Sequence, residues 1–392
     1  VACNIGQTLN GWAGQYMKSR TRYATGEFDF TTTSWGSWLQ DEITLGQLTL
    51  RPGVRVDSDD YMDKTTWAPR FSLEYDLFGD RTTLLNAGVN RYYGRSVSSW
   101  QLQDGRNRLR FNETRDSLDK PWVVKSNAAN QVRFNQLDIP YDDELMLGVV
   151  QQWAGVEYAL KYVNRKGRDQ VVQVSGKTLG EPSTDPTLAS NYTTYTNDGK
   201  SETDTYTLTV TPLQRWTLLG TQTGGQLALN WTDSKASAPT YVAAENLYYQ
   251  NSVIQYQGSF INYDDRPASN FNRPWTARLT TITEIPQANL QWSNFWRYRA
   301  GYKRIGDTGR NVDYMGTSVD VWEEQKFQAA LTWDTRLGWR IPTARDQNVF
   351  INVDVFNVLD KKSVNANQTV NSNSVSTYEV GRQYWLEVGY AF

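Results

Sequence analysis

The sequence predicts an all-β fold: an antiparallel β-barrel that crosses a membrane with its strands. Three observations point there. Apolar and polar residues alternate with a period of two over much of the 392-residue chain. The alternating segments are about ten residues long, the length a tilted spanning strand requires. Short turns also alternate with long polar connections, which is the outer-membrane barrel pattern.

Composition narrows the class. The 40 Lys+Arg nearly balance the 42 Asp+Glu, for a net charge of −2. That argues against a basic nucleic-acid binder. Histidine is absent, which removes a Ser-His-Asp triad, a His-liganded zinc and a His proton shuttle. Cys3 is the sole cysteine, so an internal disulfide and a Cys metal cage are excluded. The longest apolar run is Tyr241-Val242-Ala243-Ala244, far too short for a membrane helix. No signal peptide is visible at Val1. Yet 16 Trp, 23 Tyr and 13 Phe need an amphipathic setting. A sugar-binding surface or the interfacial girdles of a barrel would supply it.

The elements follow in order. Leu48, Leu50, Pro52, Val54 and Val56 alternate with Thr49, Arg51, Gly53 and Arg55. Phe71, Leu73, Tyr75 and Leu77 alternate with Arg70, Ser72, Glu74 and Asp76. The pattern returns at Val156–Tyr162, Leu227–Trp231, Phe327–Trp333 and Val349–Val355, and closes at Tyr384–Phe392. A sandwich also alternates, but its strands are shorter, usually five or six residues. The expected strands are 35–45, 47–56, 68–77, 82–91, 143–152, 155–164, 203–211, 223–232, 274–284, 288–302, 322–339, 348–357 and 381–392. Gly, Pro and Asp mark short turns at 45–47, 77–81, 152–155, 285–287 and about 340–347. Long loops are expected at 57–67, 92–142, 165–203, 233–273, 303–321 and 358–380. Thirteen is an odd count, whereas bacterial single-chain barrels have even numbers. Either a strand lies within 1–34 or the chain is the C-terminal piece of a larger barrel.

Several stretches resemble TonB-dependent outer-membrane receptors. These are Gly53-Val54-Arg55-Val56-Asp57 with Ala68-Pro69-Arg70-Phe71, Asp143–Gly148 with Tyr162–Arg165, Val353–Lys361, and Gly381–Tyr384 running to Phe392. The resemblance covers about residues 35 to 392. It implies a 22-stranded barrel with a plugged lumen, of which this chain would be the last thirteen strands. On that reading residues 1–34 are an extracellular loop remnant, 35–392 are the C-terminal part of the barrel, and the plug lies outside this chain. It further implies a multi-pass bacterial outer-membrane protein, not an enzyme, that imports a scarce ligand such as a metal chelate by TonB-coupled transport. The implied partners are the bilayer and lipopolysaccharide, the TonB complex, and the barrel-assembly machinery acting on Phe392. No cofactor and no nucleic acid are expected. A passive or sugar-selective porin is the alternative; a surface enzyme lacks His for nucleophile activation, and a soluble carbohydrate-binding β protein would need no detergent.

Two residue groups are candidate sites. Arg55, Asp57, Arg70 and Glu74 fall on the polar face of neighbouring strands and are expected to form a lumen charge network. Arg91, Tyr92, Tyr93, Arg95 and Trp100 lie where a strand enters the longest loop. They suit either an interfacial girdle or a ligand vestibule of rings and guanidinium groups. Trp292, Trp296, Tyr298, Trp333 and Trp339 are expected to face lipid. The acidic runs at 57–60, 142–144 and 264–265 offer oxygen ligands for a divalent cation, but they lack the spacing of an EF-hand loop and read rather as solvated loop charge. Cys3 is expected to pair with a cysteine outside this chain.

Overall fold

The computed structural model describes residues 16–29, 31–94, 106, 109–127, 130–133, 137–176, 188–236, 253–263, 274–343, 347–370 and 373–392. Cys3, Arg95, Trp100 and Asp264-Asp265 lie outside the described residues. The strands are β1 (Ser19–Tyr23), β2 (Ser34–Gln40), β3 (Ile43–Leu45), β4 (Leu48–Asp59), β5 (Lys64–Asp76), β6 (Thr83–Tyr93), β7 (Arg110–Thr114), β8 (Val123–Asn127), β9 (Asn130–Arg133), β10 (Tyr141–Trp153), β11 (Val156–Ser175) and β12 (Leu188–Pro212). They continue as β13 (Trp216–Leu218), β14 (Thr221–Ala236), β15 (Val253–Tyr256), β16 (Ser259–Asn262), β17 (Trp275–Ile285), β18 (Leu290–Arg299), β19 (Tyr302–Tyr314), β20 (Thr317–Phe327), β21 (Ala330–Pro342), β22 (Asn348–Phe356), β23 (Val364–Val370), β24 (Asn373–Tyr378) and β25 (Gln383–Ala391).

One large sheet organises the molecule. Its path is β2-β4-β5-β6-β10-β11-β12-β14-β17-β18-β21-β22-β25, thirteen strands in sequence order. Every neighbouring pair on that path is antiparallel. Each of these strands coincides with an expected segment. Among the described residues the outer edges of β2 and β25 carry no strand partner.

Register fixes the two faces. Leu73, Ala87, Leu147, Tyr162, Tyr206, Trp231 and Trp275 lie opposite one another across seven consecutive strands of the path. This apolar row becomes an aromatic belt, with ring centroids 4.8 Å apart for Tyr162–Tyr206 and 5.4 Å for Tyr206–Trp231. On the opposite face Arg70, Asn90, Glu144, Arg165, Thr203 and Ser234 form an equally continuous polar row. An apolar outer face and a polar inner one are what a water-filled barrel requires.

The expected lipid-facing aromatics share the outer face. Trp296 opposes Trp333, Tyr298 opposes Leu331, Trp292 opposes Leu337 and Trp339 opposes Leu290. Two of their indoles find acceptors on the same face. Trp333 Nε1 donates to Asn294 Oδ1 at 3.0 Å, and Trp292 Nε1 donates to Thr335 Oγ1 at 2.9 Å. Hydrocarbon offers indole N–H groups no other acceptor.

Three expectations need correction. The segment 35–45 is two strands, β2 and β3, in one register on β4. The break lies opposite Arg51-Pro52, and proline has no N–H to give the ladder. The segment 322–339 is likewise two strands: β20 pairs with β19 in a separate sheet, while β21 joins the main path. Alternation continues through the break at Gln328-Ala329, so periodicity does not reveal it. Finally, 57–67 is a tight hairpin rather than a long loop. Asp59 Oδ1 accepts from Met62 N at 2.7 Å, and Asp63 takes φ 49°.

The other long connections carry strands of their own. β11 and β12 run on together well past the expected ends, β15 and β16 form one hairpin, and β19 and β20 another. The last two turn on Gln257-Gly258 and Met315-Gly316, both residues at positive φ, the pattern a two-residue hairpin favours. Met62, Leu137, Ile139, Val171 and Tyr195 make a small buried core on this side. It ties the β4–β5 turn to the extended β11–β12 hairpin.

Candidate functional site

The lumen face at the long-loop end holds a connected polar cluster. Glu144 on β10 accepts from Asn90 Nδ2 at 3.2 Å and Tyr92 OH at 3.3 Å, and from Arg165 Nη2. Three donors converge on one carboxylate because β6, β10 and β11 are adjacent and in register. The Tyr92 ring is flanked by two guanidinium groups, Arg70 at 5.2 Å and Arg165 at 5.6 Å. Two cations and one anion surround the ring. Such a surface suits an anionic or aromatic ligand.

The expected vestibule residues divide between faces. Successive strand residues point to opposite sides of a sheet. Tyr92 therefore enters the lumen while Arg91 and Tyr93 face outward. There Arg91 Nε and Nη2 hold Asp143 at 2.7 and 2.8 Å, and its guanidinium lies 4.1 Å from the Tyr141 ring. Tyr93 also packs on Tyr141, centroids 5.5 Å apart. The same parity splits the acidic run 142–144, with Glu144 inside and Asp143 outside. No group of three metal-ligating residues occurs among the described residues.

The expected lumen network is three separate contacts rather than one. Arg55 Nε and Asp57 Oδ2 meet at 2.8 Å within β4. Gly36 lies directly opposite Asp57, and a Cβ there would stand 2.5 Å from its Oδ1. Glycine thus makes room for the pair. Glu74 meets Arg81 at 3.6 Å in the β5–β6 turn. Arg70 belongs to the Tyr92 cluster. Residues i and i+2 share a face, but only register brings strand neighbours together.

A second cluster lies in the three-stranded sheet β1-β7-β8, within and before the longest loop. Arg20 and Arg22 donate from their Nε atoms to Glu113 at 2.6 and 2.7 Å. Those two arginines hold the Glu113 carboxyl below its usual range. Arg20 and Arg115 stand 4.3 and 4.5 Å from the Trp122 ring centroid. Sequence reasoning missed this cluster. Arg20-x-Arg22 and Glu113-x-Arg115 each carry the period of two, but their pairing across 91 or 93 positions leaves no local trace.

The thirteen-strand antiparallel path, apolar on its outer face and polar on its inner one, is that of an outer-membrane β-barrel wall. The comparisons with known proteins agree. No family model matches the chain. It is 29% identical over 381 residues to the uncharacterized protein YddB of Escherichia coli strain K12, covering 95% of this chain and 45% of YddB. The crystal structure of the E. coli outer membrane transporter YddB superposes with a TM-score of 0.74 at 27% identity, over 94% of this chain and 46% of YddB. The ferric enterobactin receptor PfeA of Pseudomonas aeruginosa matches over 99% of this chain with a TM-score of 0.57. The FrpB iron transporter of Neisseria meningitidis matches over 91% with a TM-score of 0.53. At 13% identity the last two share the fold alone.

These neighbours are named as an outer membrane transporter, an iron transporter and a ferric enterobactin receptor, and the resemblance read from the sequence is borne out. They are transporters and receptors rather than enzymes, and they place the chain in the bacterial outer membrane as a multi-pass strand protein. The chain spans about half the length of the relatives it matches.

Proposed function

We propose that this chain forms the lumen wall and outer vestibule of a receptor that imports a scarce small ligand, such as a metal chelate, by TonB-coupled transport. The observation that carries the reading is the thirteen-strand path with an aromatic outer face and a polar inner row, in a chain of which 94% superposes on 46% of the E. coli outer membrane transporter. Tyr92, Arg70 and Arg165 would contact the ligand in the lumen, and the Arg20–Trp122–Arg115 cluster would meet it first in the loops. The partners expected of the whole protein are the TonB complex through its remaining part and the assembly machinery through Phe392. Lipopolysaccharide suits the outer groove of about 540 Å³ beside Phe71, Val89 and Leu145, where the Arg91–Asp143 pair stands above apolar walls. A porin is the weaker reading, because long strand-bearing connections crowd one end.

The test uses the full-length protein. In planar bilayers it should be nearly silent, and cells should lose uptake of its ligand when TonB is deleted. Steady open-channel conductance, with uptake unaffected by loss of TonB, would return the reading to a porin.

A further inference from the structure

Five lumen-facing arginines meet a carboxylate. Arg51 pairs with Glu42, Arg55 with Asp57, Arg165 with Glu144, Arg336 with Glu387 and Arg299 with Glu379. Arg278 on β17 and Arg297 on β18 do not. They are direct cross-strand partners, so both project from one face. That face is the lumen, because their strand neighbours Leu279 and Trp296 oppose each other in the outer layer. No salt bridge joins either guanidinium to a described residue. Arg297 Nε is buried and, like Arg299 Nε, has no hydrogen-bond partner among the described residues.

The directly opposite positions offer no anion, and the carboxylate diagonal to Arg297, Asp334, accepts from Asn357 N at 2.7 Å. Ala228 lies opposite Arg278 on the β14 side, and Thr332 lies opposite Arg297 on the β21 side. Like charges directly opposite in a sheet repel, and a buried donor without an acceptor is unfavourable. An arginine pair of this kind is arranged for something that is not part of the wall. Two arginines at one register position of a single face offer guanidinium forks suited to the paired oxygens of a carboxylate or phosphate.

We propose that Arg278 and Arg297 form an oxyanion-binding site on the lumen wall, which takes the carboxylate or phosphate group of a small solute. Arg299, two residues along the same face, is held by Glu379 and serves the wall instead. The inference rests on reading the lumen as a solute path, but its test does not depend on transport.

Full-length protein in detergent is labelled with phenylglyoxal, and arginine modification is read by peptide mass spectrometry. Citrate or inorganic phosphate is added at constant ionic strength against chloride. Arg278 and Arg297 should react freely in chloride. They should be slowed about tenfold at an oxyanion concentration ten times its Kd. Arg340, on the same wall, faces Phe350 across the ladder rather than a second arginine and serves as the control. It should be unaffected. Equal labelling rates with and without oxyanion overturn the proposal. So does a pair that is unreactive from the outset, because a carboxylate of the polypeptide would then already fill the site. The double variant Arg278→Gln/Arg297→Gln keeps two polar lumen residues, and folding is checked by heat-modifiable mobility. It should lose citrate binding in calorimetry; retained binding also overturns the site.

Discussion

Asn294 offers the sharpest test of how the lipid face is built. It sits on the outer face of β18, only 4% exposed beneath the tryptophan layer. Its Oδ1 accepts from Trp333 Nε1 at 3.0 Å and from Thr335 Oγ1 at 2.9 Å. Asn294→Ala removes both acceptor contacts. Thr335 keeps an alternative, the Ser293 carbonyl at 3.1 Å. Trp333 has none, so one indole N–H is orphaned in hydrocarbon. Leaving a buried donor unsatisfied costs about 1–3 kcal/mol. Measured polar pairs in membranes reach only about 1.7 kcal/mol, because the reference state also finds partners. The expected destabilisation is therefore about 1–2 kcal/mol. The assay is reversible urea unfolding of the full-length protein in lipid vesicles, followed by tryptophan fluorescence. Trp333→Phe removes the orphan donor itself, so the Asn294→Ala/Trp333→Phe double variant should be more stable than the sum of the singles by about 1 kcal/mol. Strict additivity would refute the reasoning.

Other outcomes follow from the same structure. Glu113 is held ionised by Arg20 and Arg22, with its carboxyl below the ordinary range. Its contribution to the β1-β7-β8 sheet should be complete above about pH 4.3, the unfolded value. It should fall away as pH drops through the lower folded value. Hydrogen exchange of β1 and β7 should accelerate in acid, and Glu113→Gln should flatten that response. Gly36→Ala should displace the Asp57 carboxylate from Arg55 with little loss of stability, since the pair is partly exposed; a crystal structure with the pair intact would contradict this. Gly155 turns β10 into β11 at φ 76° with open space where a Cβ would go. Gly155→Val should therefore cost about 1–2 kcal/mol through backbone strain alone, read as a lower urea midpoint.

Much of this fold was legible in the sequence because a strand's chemistry repeats every second residue. Arg51 and Arg55 between Leu50, Val54 and Val56 declare one wet face and one apolar face, whatever the strand pairs with. The thirteen segments, the short turns and the aromatic outer face all follow from that local rule, and the resemblance to the receptor family rests on the same strands. Parity was also written there: Arg91 and Tyr92 are consecutive in β6, so their side chains leave opposite faces of the strand.

Register was not written there. Tyr92 meets Glu144 and Arg165 only because β6, β10 and β11 align Asn90, Glu144 and Arg165 in one row. Arg278 faces Arg297, and Gly36 faces Asp57, for the same reason. The end of β20 and the start of β21 differ by sheet and not by pattern. Alternation is a property of one backbone and is fixed by covalent geometry. Which residue stands opposite depends on hydrogen bonds between chain segments distant in sequence, and those exist only once the sheet has assembled.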